Sequence, residues 1–170
     1  RYTGYNFVRW TKNGSQVSTN ASYSFTVTEN ATYVAVFSLN SYTISTSANP
    51  SAGGTVSGGG SYNYGSNCTL TATPATSYSF VRWTKNGSQV STNPSYSFTV
   101  TGNAGYLAVF SVNSYTISVS ANPSAGGTVS GGGTYDYGSA CTLTATANTG
   151  YTFVRWTKNG SQVSTNPSYS

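Results

Sequence analysis

The chain has 170 residues, of which only 9 are charged: 7 Lys or Arg and 2 Asp or Glu, a net charge of +5, with no His and no Met. The absence of His removes the usual proton carrier near neutral pH and the commonest metal ligand. Two carboxylates leave little from which to build a hydrolytic dyad or a hard-cation cage. Ser and Thr supply 56 residues and Tyr another 15. Helix formers are scarce and β-branched and aromatic residues abundant, so the expected protein is β-rich, non-catalytic and free of cofactors.

The same numbers bound its surroundings. Aromatics at 15% against charge at 5% argue for folded cores, because disordered chains are poor in aromatics and rich in charge. No stretch approaches the roughly 18 continuous apolar residues of a membrane span, so direct membrane insertion is not expected. No signal peptide is recognisable either. Seven cations without a Lys/Arg run make too thin a field for nucleic acid and read as solubilising charges.

In chain order, the first landmark is FVRWTKNGSQVSTN at Phe7–Asn20, which returns at Phe80–Asn93 and at Phe153–Asn166, so that Trp10, Trp83 and Trp156 stand 73 residues apart. Residues 41–97 and 114–170 align without a gap, identical at 49 of 57 positions. The organisation is therefore a complete repeat at 41–113, preceded by the C-terminal part of a repeat at 1–40 and followed by the N-terminal part of a further repeat at 114–170. Arg1 opens in mid-repeat, and the chain reads as a window on a longer array. A period of 73 is long for a solenoid turn, whose repeats run roughly 20–50 residues, and matches a small domain with its own core.

Within the complete repeat the strand signals follow one another closely. Tyr42–Ser45 alternates and stops at Asn49-Pro50. Gly53–Gly60 predicts turn, short strand, turn. Cys68–Thr73 alternates, with Cys68, Leu70 and Ala72 on one face and threonines on the other. Phe80–Lys85 runs into Asn86-Gly87, a strong hairpin signal, with Ser88–Ser91 returning. Tyr96, Phe98 and Val100 share a face, Gly102-Asn103 turns the chain, and Tyr106–Val112 is the last strand. No window carries a helical apolar period of helix length. The prediction is an all-β chain of tandem small domains with six or seven short strands each and no substantial helix.

These residues resemble a known family. The run SYTISVSANPSAGGTVSGGGTYDYGSACTLTATANTGYTFVRWTKNG, with YSFTVTGNAGYLAVF from the complete repeat, is similar to the divergent internalin B-repeat family: small β domains in tandem in bacterial cell-surface and secreted proteins. The resemblance spans nearly the whole chain. It implies a β-grasp-like or small sandwich domain, a location outside the cell or on its surface, and a spacer or adhesive role. It supplies no catalytic residues.

Several residues invite chemistry. Cys68 and Cys141 occupy the same position in successive repeats. A compact domain of this size is about 30 Å across, whereas bridged Cα atoms lie about 4.4–6.8 Å apart; both cysteines are expected to be free, buried thiols. Glu29 aligns with Gly102 and Asp136 with Asn63, so neither acid belongs to the repeat, and the complete repeat has no acid to promote a Lys–Asn isopeptide bond. Gly58-Gly59-Gly60 and Gly131-Gly132-Gly133 lack the Lys and the helix of a phosphate loop and are turns.

The Trp83 strand is ambiguous. Val81 and Trp83 share one face and Phe80, Arg82 and Thr84 the other, so both faces carry a large apolar group and alternation does not say which is buried. Either Trp83 anchors the core while Arg82 lays its stem on an aromatic neighbour, or Trp83 and Arg82 are exposed as a glycan contact. Tyr62 and Tyr64, with Tyr135 and Tyr137 after them, either cap the core or form a ligand platform beside Trp83.

The functional expectation is a non-catalytic stalk, spacer or fibre-building module whose partners are neighbouring repeats. The alternative is a multivalent, weak glycan or cell-wall-binding adhesin module. A third concerns residues 114–170, which lack the terminal strands that 25–37 supply. Strand addition between copies of the chain would then build an open filament; the plainer reading is an arbitrary fragment of a continuous array.

Overall fold

The computed structural model describes residues 3–170, and Arg1 lies outside them. The chain divides into two compact units, Arg1–Ala75 with Phe80–Ser111, and Thr76–Ser79 with Val112–Ser170.

The first unit opens with β1 (Tyr5–Lys12), β2 (Ser15–Ser18) and β3 (Tyr33–Leu39), which form a sheet of order β2-β1-β3. Between β1 and β2, Asn13 and Gly14 hold φ of 46° and 88°. Positive φ at both central residues is what a two-residue turn needs to match the twist of its strands. The β1–β3 ladder shifts register once: Phe7 faces Phe37, Arg9 faces Val36 and Trp10 faces Ala35. Val8 is thus an extra residue on one side of the ladder, a bulge that places Phe7 and Trp10 on the same face despite their opposite parity.

The complete repeat follows as β4 (Ser41–Asn49), a 3-10 turn at Ser51–Gly53, β5 (Gly54–Ser57), β6 (Gly60–Asn63), β7 (Asn67–Pro74), β8 (Tyr78–Lys85), β9 (Ser88–Ser91), β10 (Ser95–Thr99) and β11 (Ala104–Val112). It contains eight strands. The sequence reading of six or seven missed β6, because the ladder begins at Gly60 inside a glycine run that reads as a turn. Five strands form one sheet, β6-β4-β11-β8-β9, and three form another, β10-β7-β5. The central β11 runs parallel to β4, with Ala104 opposite Ile44 and Ala108 opposite Ala48.

The core lies between these two sheets. Cys68, Leu70 and Ala72 alternate inward along β7, and they meet Ile44, Trp83, Tyr106, Ala108 and Phe110 from the larger sheet. Val100, just beyond β10, is also buried. The sheets touch through aromatic rings, with Phe98 and Tyr106 centroids 4.7 Å apart. No helix packs on either sheet, so of the two expected forms the small sandwich is the one present. Apolar area withdrawn from water on both inner faces is the main stabilising term.

The second unit holds β12 (Ser114–Ile117), a 3-10 turn at Ser124–Gly126, β13 (Gly127–Ser130), β14 (Gly133–Asp136), β15 (Leu143–Ala147), β16 (Trp156–Lys158), β17 (Ser161–Ser164) and β18 (Ser168–Tyr169). These are counterparts of β4 to β10, arranged as β12-β14, β13-β15-β18 and β16-β17. Several are shorter than their counterparts: β4 has 9 residues and β12 has 4, β8 has 8 and β16 has 3.

Candidate functional site

The candidate residues are distributed over several places, and the Trp83 strand decides the first. Trp83 has no accessible surface, and its indole Nε1 donates to the Pro94 carbonyl at 3.1 Å. A buried indole needs such a partner, and the loop after β9 provides it. The bond recurs as Trp10 to Ala21 at 3.2 Å and Trp156 to Pro167 at 3.3 Å. Trp83 is therefore a core anchor and is unavailable to a glycan. A register shift between Trp83 and Thr84 buries these two neighbours together, which simple alternation could not indicate. Phe80 shares the bulged arrangement, 5.9 Å from Trp83 and 5.8 Å edge-on from Phe110. Arg82 is half-buried. The cation found over a ring is not Arg82 but Lys85, whose Nζ lies 5.6 Å from the Tyr106 centroid.

A second cluster joins Tyr62, Cys68 and Gly58. The Tyr62 hydroxyl donates to the Gly58 carbonyl at 2.7 Å, and the Cys68 thiol reaches the same oxygen at 3.4 Å. Hydrogen bonding with the thiol, ahead of desolvation, pushes the Tyr62 phenol above its ordinary range. Tyr135, Cys141 and Gly131 repeat the arrangement, with distances of 2.7 and 3.5 Å and the same shift for the same leading cause. These tyrosines pin the glycine turn to the end of the core. Both cysteines are free. Cys68 is fully buried, but Cys141 is only partly so, which corrects the expectation of two buried thiols.

The third cluster lies at the junction of the first two repeats, inside the first unit. A Cβ placed on Gly4 would fall 2.2 Å from Tyr64 Cδ1, so this ring lies directly on the Gly4 backbone, whose φ is +90°. Tyr64 also meets Tyr42 edge-on at 6.4 Å. Asn40 sits between them: its N–H donates to the Gly4 carbonyl and its carbonyl accepts from the Tyr64 N–H, both at 2.8 Å. In the second unit, Asn113 donates to the Ser77 carbonyl at 2.9 Å and accepts from the Tyr137 N–H at 2.7 Å. There the position of Gly4 is taken by Ser77, and Tyr137 is 57% exposed. Sequence reasoning passed over Asn40 and Gly4. The available signal was the Asn-Ser-Tyr-Thr-Ile string at both Asn40 and Asn113.

Across the described residues, no three His, Cys, Asp or Glu side chains gather as metal ligands would. What the clusters share is backbone carbonyls and glycines engaged by side chains of the repeat itself, an arrangement that holds a fold and its junctions. The divergent InlB B-repeat domain family matches the chain three times, over residues 2–41, 44–114 and 117–170.

The chain belongs to this family. No curated protein matches it, and neither does any solved structure. The divergent InlB B-repeat family is one of repeat domains not known for catalysis, and its domains generally occur in bacterial surface or extracellular proteins. In this divergent InlB B-repeat chain, the invariant W-T-K-N-G stretch buries the Trp, grips a loop carbonyl and turns the hairpin.

Proposed function

We propose that the chain is a spacer in a bacterial surface or extracellular protein, holding other regions apart through β repeats joined without a free linker. One observation carries this reading. Strand β3 ends at Leu39 and β4 begins at Ser41, so the whole connection is Asn40, and both of its backbone groups are hydrogen-bonded across the junction. A one-residue connection fixed at both polar groups has none of the freedom of a flexible linker. Near-identical repeats favour reach over a single specialised site. The surface carries few charges, so contacts along the array depend little on salt.

Small-angle scattering on chains of two, four and eight repeats tests the proposal. The maximum dimension is expected to grow in proportion to repeat number. Growth with the square root of repeat number, as for beads on loose tethers, or collapse to a compact globule, would overturn it.

A further inference from the structure

Between β12, β13 and β16 the second unit contains a cleft of about 470 Å³, lined among others by Ala121, Gly126, Gly127, Val129, Phe153 and Trp156. The complete repeat has the same residues at the corresponding places: Ala48, Gly53, Gly54, Val56, Phe80 and Trp83. There the space is occupied. A Cβ on Gly53 would lie 2.7 Å from Phe110 Cβ, and one on Gly54 would lie 2.9 Å from the Phe110 ring. Strand β11 fills the gap with Tyr106, Ala108 and Phe110, all buried, while pairing with β4 on one edge and β8 on the other.

The second unit shows what an unfilled cleft does. Strand β12 pairs only with β14 and stops at Ile117, whereas its counterpart β4 runs to Asn49. Ile117 is 37% exposed and Ile44 only 1%. Strand β16 pairs only with β17. The missing element is one strand, and the chain carries a second version of it. Strand β3 reads YVAVFSL against YLAVFSV in β11, identical at 5 of 7 positions. It lies at the end of its sheet with β1 as sole partner, and Phe37 is 57% exposed.

We infer that this cleft is a strand-acceptor site for an extended Tyr-x-Ala-x-Phe segment, and that Tyr33–Leu39 of a second copy of the chain is its occupant. By the register of the complete repeat, Ala35 comes opposite Ala121, and Phe37 covers Gly126 and Gly127. The exchange is balanced on one edge. FVRWTKNGSQVSTN is identical in β1–β2 and β16–β17, so either hairpin closes the outer edge of the inserted strand. The other edge is a net gain, a parallel ladder with an extended β12, together with burial of Phe37. Donor and acceptor lie in different parts of the chain, so the contact is heterologous and propagates into open oligomers.

The test uses the 170-residue chain and a synthetic peptide of residues 104–112 (AGYLAVFSV). Light scattering after size exclusion is expected to show mass rising with concentration in steps of 17.7 kDa. The peptide is expected to bind at one per chain and to reduce the species to monomer. Phe37→Glu, at an exposed donor position, is expected to abolish association while leaving peptide binding intact. A mass that stays at one chain up to millimolar concentration overturns the second-copy occupant. Failure of the peptide to bind overturns the acceptor site. Association that survives in Phe37→Glu overturns the strand assignment.

Discussion

The Tyr64 ring rests on Gly4 with no room for a Cβ between them: an atom there would lie 2.2 Å from Tyr64 Cδ1. This contact belongs to the junction between two repeats, and the chain contains its own control. Where Ser77 replaces the glycine, Tyr137 is exposed.

Gly4→Ser therefore converts the first junction into a likeness of the second. Its φ of +90° is costly for any residue with a Cβ, on the order of 1–3 kcal/mol, and the ring must also move. The expected result is a lower urea midpoint and a Tyr64 that becomes reactive to iodination. An unchanged Tyr64 reactivity would contradict the steric account.

Trp83→Phe removes the indole hydrogen bond to Pro94 and part of the buried volume, and Trp83→Ala removes nearly all of it. Truncating a buried Trp to Ala typically costs about 3–5 kcal/mol, and the Phe variant should fall between that and the parent. Chemical denaturation followed by tyrosine fluorescence measures both. Equal stability of the three proteins would show that Trp83 is not an anchor.

The two thiols are expected to differ in access. Cys141, partly exposed, should react with a thiol reagent in the native protein, whereas Cys68, fully buried, should react only on unfolding. Counting modified cysteines by mass spectrometry against time separates the two. If the inferred strand fills the second unit, peptide 104–112 should slow modification of Cys141 and leave Cys68 unaffected.

Tyr62 and Tyr135 titrate above the ordinary phenol value of 10.0, their hydrogen bonding to the cysteine thiols being the leading cause. A raised folded-state pKa means that this stabilisation is complete below the unfolded value and is lost as pH rises through the folded value. The double variant Tyr62→Phe, Tyr135→Phe should be less stable near neutrality and should lose stability less steeply above pH 10. Urea midpoints from pH 7 to 11 check this; parallel profiles for parent and variant would refute it.

Much of the fold was legible because it is local. Alternation along Cys68–Thr73 matches the pleat and gave the buried face of β7 correctly. The Asn-Gly turns match too, since both residues must hold positive φ, and these two residue types do so at little cost. Strand β6 was hidden because its first residue is also the last glycine of a turn. The candidate residues were harder to place. Bulging lets Phe7 and Trp10 share a face, and register shifts at Trp83 bury two neighbours in succession, so side-chain parity was silent where it was most needed. Nothing local distinguishes Tyr64, which is covered, from Tyr137, which is not. The difference lies at Gly4 and Ser77, 60 positions earlier in each case.

The sequence by itself determined the 73-residue period, the β class and the hairpins, because repetition, pleat alternation and turn conformation are each written in neighbouring residues. Only the tertiary structure decided that β11 enters between β4 and β8, that Trp83 faces inward, and that the second unit keeps a cleft where that strand would lie. Those outcomes depend on which distant segments meet, and a parallel pairing of Ala104 with Ile44 leaves no mark on the residues around either one.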